Sequence, residues 1–303
     1  MGWNLLPQRA VAEPSARLAA KQADLESSSH QSQPKPTTRI EELKSELKSL
    51  LARKDGSTKD PDVVAVVNEL AELNPCKENC SRTPLIEGEF IALTCPNFPG
   101  RLKPEPGEEH IKKYTLGRMS FNIFQPTNLI CTVKSARNPV APSGTTEDGR
   151  KKFTYSLLVD VIIHAPDGDL PAILINEAYC YDSPDVNNRL MVSFTGGTLL
   201  PAEGVRKNPA KLDIWSRTFQ GAYKKADEER SYFGWAFKYF IKLLLGLTYP
   251  NDDSFSEHSF HFEMKRSPVG HLDVLYLDED LRITKGNRGT IVVVERSTKI
   301  FAQ

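Results

Sequence analysis

The chain has 303 residues, 39% of them hydrophobic and 26% charged, which is enough apolar sequence for the core of one large domain or two modest ones. Its 39 Lys and Arg balance its 39 Asp and Glu, so no net field favours nucleic acid, and any charged contact must come from local patches. Five scattered cysteines in a chain of this length argue against a disulfide-stapled scaffold and read as free thiols.

Residues 1–37, rich in Ala, Ser, Gln and Pro, read as a disordered arm. Arg9 and Arg17 suit a transit peptide, whereas Glu13, Asp24 and Glu26 do not. The domain proper is expected over 38–303. Thr38 and Glu41 form a capping box, and Ile40, Leu43, Leu47, Leu50 and Leu51 follow at helical spacing. Asp60-Pro61 opens a second helix through Val63, Val64, Val67, Leu70 and Leu73 that stops at Asn74-Pro75. Residues 38–75 therefore form a helical hairpin. Cys76 and Cys80 stand one helical turn apart, but no second pair follows at a spacing that would complete a zinc site.

From Gly88 the apolar period changes from helical to two. Alternation predicts strands around 88–94, 119–124, 129–133, 153–163, 172–181, 189–195, 258–264, 271–277 and 290–296, about nine in all, separated by Pro, Gly and Asn turns rather than helices. Antiparallel order follows, closed as a β-barrel or stacked as a sandwich over 88–301. The rhythm stops over an insertion at 196–256. Within it, residues 231–250 read as an amphipathic helix with Lys238 and Lys242 on a narrow polar stripe. Tyr232, Phe233, Trp235, Phe237, Phe240 and Leu244 face away from that stripe and fit a membrane interface, a partner complex, or the mouth or wall of a barrel. Two lysines in so short a run oppose a membrane span.

No catalytic constellation is visible: there is no G-x-S-x-G, and Gly196-Gly197 and Gly286-x-x-Gly289 lack a phosphate-loop pattern and read as turn glycines. His258 and His261 fall on opposite strand faces, which excludes a shared metal without a bulge. The segment Tyr276-Leu-Asp-Glu-Asp-Leu-Arg-Ile places Asp278, Asp280 and Arg282 on one face by strand parity. An arginine lowers carboxylate pKa values and competes for them, so the group is expected to be an ion-paired corner rather than an acid/base pair.

The run from Gly270 through Y-L-D-E-D-L-R-I to the Lys285-Gly286-Asn287-Arg288-Gly289 turn and the final T-I-V-V-V strand resembles the C-terminal signature of the plastid lipid-associated proteins, or plastid fibrillins. Glu72-Leu73-Asn74-Pro75, the G-E-F-I-A-L-T strand and R-L-M-V-S-F agree with it, although Phe90 stands near the family's usual Trp. The resemblance covers roughly residues 39–200 and 257–296 and marks Asp278, Asp280, Arg282, Gly286 and Gly289 as structural signature positions. It implies an antiparallel, lipocalin-like barrel without covalent cofactor, placed in plastids at a plastoglobule, thylakoid or stromal location. Such a barrel would hold a carotenoid, prenylquinone or other neutral lipid, with a structural or carrier role. Alternation then nominates Phe121, Ile123, Tyr155, Leu157, Val159, Val192, Phe194, Phe260 and Phe262 as lipid-facing. The alternatives are an assembly protein docking a membrane-bound complex through 231–250, and an enzyme acting on a lipophilic substrate in the barrel.

Overall fold

The computed structural model describes residues 36–228, 247–248, 258–266 and 269–298. The chain divides into two units, Met1–Arg39 and Ile40–Gln303, and every described strand lies in the second. Helix α1 runs Pro36–Arg53 and α2 runs Pro61–Glu72. Asp60 caps α2 by accepting the Asp62 N–H at 3.1 Å, with Pro61 in the first turn where its missing N–H costs nothing. The start of α1 at Pro36 leaves Thr38 inside the helix rather than at its cap. Leu43, Leu47, Leu50, Val63, Val67 and Leu70 form one buried stripe across both helices, and it packs on Tyr276, Leu281, Ile283 and Val293.

Twelve strands are described, joined in one antiparallel sheet. They are β1 (Gly88–Ala92), β2 (Lys113–Thr115), β3 (Ile130–Thr145), β4 (Lys151–Tyr155), β5 (Leu157–Ala165), β6 (Gly168–Asp182), β7 (Arg189–Pro201), β8 (Leu247–Thr248), β9 (Phe260–Met264), β10 (Val269–Leu277), β11 (Leu281–Gly286) and β12 (Ile291–Arg296). Hydrogen-bonded pairing runs β3 to β5, β6, β7, β10, β11, β12, β1 and back to β3, so eight strands pair in a circuit. The short strands lie off this circuit: β4 bridges β3 and β6, β2 pairs β3, and β8 pairs β9, which pairs β7.

Five expectations from the sequence need correction. The run 153–163, read as one strand, breaks at Ser156 into β4 and β5, and residues 247–248, read as part of the 231–250 helix, form strand β8. Residues 119–124 are not a strand: helix α3 covers Leu116–Met119, and Phe121 and Asn122 then take left-handed φ values of 54° and 60°. The apolar residues there bury at helix-like spacing, Leu116, Met119 and Ile123 with Phe124, which a period-two reading mistakes for a strand. Gly196 and Gly197 are not turn residues but lie within β7, paired to Glu263 and Phe262 of β9. A side chain there would press on Phe262, since a Cβ on Gly196 would come 2.4 Å from its carbonyl oxygen and one on Gly197 2.6 Å from its ring. Finally, the strand rhythm does not stop at residue 196: β7 continues to Pro201, and helices α4 (Glu203–Arg206) and α5 (Pro209–Glu228) follow.

The circuit carries two faces. On β10, β11 and β12 the residues Tyr276, Leu281, Ile283 and Val293 meet the helical hairpin. The opposite face gathers two further apolar clusters. One includes Cys131, Ala136, Val159, Val161, Ile163 and Leu174 with Trp215 and Phe219 of α5; the other includes Val140, Phe153, Cys180, Val192, Val274 and Leu277. No helix of the described residues is long and apolar enough to cross a membrane.

Candidate functional site: a buried guanidinium between two apolar clusters

Strand alternation in β11 turns Leu281 and Ile283 to the helices, which leaves Arg282 on the face of the two clusters. Its side chain is 1% exposed. Nη2 donates to Asn138 Oδ1, and Nε and Nη1 have no hydrogen-bond partner among the described residues. Asn138 sits on β3 between Ala136 of one cluster and Val140 of the other, so this polar pair divides the apolar face into two.

Aromatic rings stand in for part of the lost hydration. The guanidinium carbon lies 4.1 Å from the centroid of Phe90 and 5.7 Å from that of Tyr155. Burial lowers the Arg282 pKa from its ordinary value, but a guanidinium remains a cation at neutral pH. Its titratable neighbours offer no counter-charge. Burial pushes Tyr155 up and Cys180 up to about 12, against the pull of Arg282, so both are neutral at pH 7. Arg296, the third neighbour, is itself a cation; it lies 4.7 Å from the Phe90 centroid and donates to the carbonyls of Glu279, Glu87 and Leu85. Gly88 admits this staple: its φ is +126°, and a Cβ there would come 2.3 Å from Arg296 Nη1.

The acidic corner is a separate structure, and its partner is not the expected one. Asp278, Glu279 and Asp280 form the turn between β10 and β11, which breaks the strand parity that would place Arg282 beside the aspartates. Asp278 Oδ1 accepts the N–H groups of Asp280 and Leu281 at 2.8 and 2.7 Å, while Oδ2 accepts the Tyr276 hydroxyl at 2.6 Å. Lys44 of α1 enters this corner, with Nζ 2.9 Å from Asp278, 2.8 Å from Asp280 and 3.0 Å from Glu41. The three carboxylates converge closely enough to resemble a cation site, and the lysine ammonium already fills that role. Burial opposes the charge on Asp278, but the bonds from Tyr276, Lys44 and the two backbone N–H groups prevail and hold its pKa below 3.8. Downstream, Gly286 and Gly289 hold the turn into β12: Gly289 adopts φ +78° and donates to the Gly286 carbonyl at 2.8 Å.

Of the residues nominated as lipid-facing, Ile123, Val159, Phe260 and Phe262 are buried in the first cluster, with Leu157 and Phe194 half-buried against it. Val192 belongs to the second cluster and Tyr155 packs on that one. Phe121 is 59% exposed, because the left-handed turn after α3 carries it outward. Tyr232, Phe233, Trp235, Phe237, Phe240 and Leu244 lie outside the described residues. What the insertion does place is α5, whose Trp215 ring stacks on Phe260 at 6.1 Å and whose Phe219 ring lies tilted to it at 5.1 Å, with Trp215 Nε1 donating to the His258 carbonyl at 2.8 Å. His261 points to the exposed side of β9 and bonds Thr198 at 2.9 Å, apart from His258.

Sequence reasoning missed one surface relay. His164 Nε2 lies 2.8 Å from Thr132 Oγ1 and its Nδ1 2.8 Å from Asp169, at the edge of a groove of about 260 Å³ lined by Leu102, Lys103, Glu105, Lys113 and Ile130. The three residues are cross-strand neighbours on β3, β5 and β6, a proximity that only register creates. Arg282 itself left a signal in the sequence, a lone cation at an alternate position of the apolar strand L-R-I-T, but parity counted through Asp278–Asp280 assigned it to the wrong partners.

The PAP_fibrillin family model matches residues 250–295. No curated protein and no solved structure matches the chain.

Proposed function

The match over residues 250–295 supports the plastid lipid-associated/fibrillin family, and from that premise we propose that this chain binds a lipophilic molecule inside a lipocalin-like barrel formed by the eight-strand circuit. The circuit is the observation that carries the reading: it leaves no free edge among its eight strands, and the face turned from the helices bears two apolar clusters. A carotenoid, a prenylquinone or another lipid is the class of ligand such a lining takes, with a few polar groups fixing its orientation. Residues Ile123, Tyr155, Leu157, Val159, Val192, Phe194, Phe260 and Phe262 contribute to that lining, and Phe121 is withdrawn from it. The role is that of a plastid carrier or structural protein acting at a plastoglobule or thylakoid surface.

The test is extraction of the purified full-length protein with organic solvent, followed by lipid analysis and by rebinding of the recovered species. The expected result is a lipid in near-stoichiometric amount whose rebinding saturates at one site. An empty extract, together with failure to bind any of a panel of carotenoids, quinones and acyl lipids, overturns the proposal.

A further inference from the structure

We infer that Arg282 is the anchor for a carboxylate, so that the ligand of this site is a long-chain acid rather than an uncharged lipid; the inference rests on the lipid-binding reading above. Two independent features of the site point the same way. The first is hydrogen bonding: Nε and Nη1 together carry three N–H bonds, and neither nitrogen has a partner among the described residues although Arg282 is 1% exposed. Buried donors are almost always answered, and an orphaned pair calls for an acceptor that the described residues do not supply. The second is charge: a buried cation needs a partner, and Tyr155, Cys180 and Arg296 provide no anion.

A carboxylate satisfies both demands at once, since it brings one negative charge and oxygens that only accept. A quinone or ketone oxygen answers the donors but leaves the charge unbalanced. A phosphate brings more charge than one guanidinium offsets among apolar walls. The setting fits an acyl chain as well. The guanidinium and Asn138 stand between the two apolar clusters, with Val274, Leu277 and Cys180 belonging to one and Ala136 and Val159 to the other. A head held at Arg282 therefore leaves its tail on apolar surface. Phe90 and Tyr155 keep the guanidinium in place, and Asn138, neutral and already bonded to Nη2, fixes the orientation in which Nε and Nη1 face the ligand.

Equilibrium dialysis of the delipidated full-length protein with oleate, methyl oleate, oleyl alcohol and a long-chain quinone tests this. Oleate is expected to bind about 10- to 100-fold more tightly than its ester or alcohol, the effect of hydrogen bonds to a charged group. In Arg282→Met that ratio should fall to near one, and Arg282→Lys should keep part of the preference. Equal binding of oleate and methyl oleate by the unaltered protein overturns the inference whether or not the variants fold. So does a quinone that binds as tightly as oleate and depends equally on Arg282. Binding of the uncharged probes without preference for oleate leaves the lipid carrier standing and removes only the carboxylate anchor. Binding of none removes both.

Discussion

Lys44 on the first helix meets Asp278 at 2.9 Å across 234 residues of sequence, which ties the helical hairpin to the turn where β10 becomes β11. The ammonium is 6% exposed and also reaches Asp280 and Glu41, so one side chain balances a corner that would otherwise hold three carboxylates. The signature segment of the C-terminus thereby closes the fold.

Lys44→Met should destabilise the protein by about 2 kcal/mol in urea unfolding at pH 7, the usual cost of losing hydrogen bonds to a charged group. The sign with pH follows from the carboxyl. Asp278 has its folded pKa held below 3.8, so its contribution is present above that value and fades as pH falls through the lower, folded one. The gap between Lys44→Met and the unaltered protein should shrink on acidification below pH 3.8. A gap that is constant with pH would mean that Lys44 acts through packing alone.

Arg282→Met should raise, or leave unchanged, the stability of the lipid-free protein, with a gain of up to about 4 kcal/mol, because a buried charge with no counter-ion among the described residues gives way to apolar volume. Differential scanning calorimetry of delipidated protein checks this. A loss above about 3 kcal/mol would show that the Asn138 bond and the Phe90 ring already compensate the charge.

Gly197→Val should weaken the β7–β9 pairing, with a cost of about 1–3 kcal/mol from overpacking against the Phe262 ring. Phe262→Leu in the same chain should recover part of that loss in a double-mutant cycle, since the nearest clash is with the ring. Strict additivity would place the strain elsewhere.

Trp215→Ala removes a side chain that is 1% exposed and should cost about 3–5 kcal/mol in chemical denaturation. Hydrogen exchange should then rise in β9 first, because Phe260 stacks on Trp215 and the His258 carbonyl accepts its indole N–H.

Cys131 and Cys180 are pushed up to about 12 by burial and should resist iodoacetamide at pH 8 in the native protein. Both should label in urea. Native labelling at either position would mean that the apolar face opens readily to solvent.

Much of this was legible along the chain. Asp60-Pro61 announced the second helix, and alternation found β6, β9 and β12, because a cap and a two-residue period are local consequences of hydrogen bonding and side-chain direction. The signature over 250–295 was readable for the same reason, as an unbroken run. Two left-handed residues at 121–122 hid a helical turn inside apparent alternation, and the strand glycines 196–197 looked like a turn because the ring that requires them is 65 residues away.

Taken by itself, the amino-acid order determined where chain segments become helix or strand and which residues avoid water, because propensity, capping and periodicity act between near neighbours. Only the tertiary structure decided which ions meet. Lys44 took the aspartates, and a turn of three residues rotated Arg282 to the opposite face, where Phe90 and Asn138 receive it. Charge pairing acts through space across 234 residues, and register with burial, rather than distance along the chain, sets which partners come within reach.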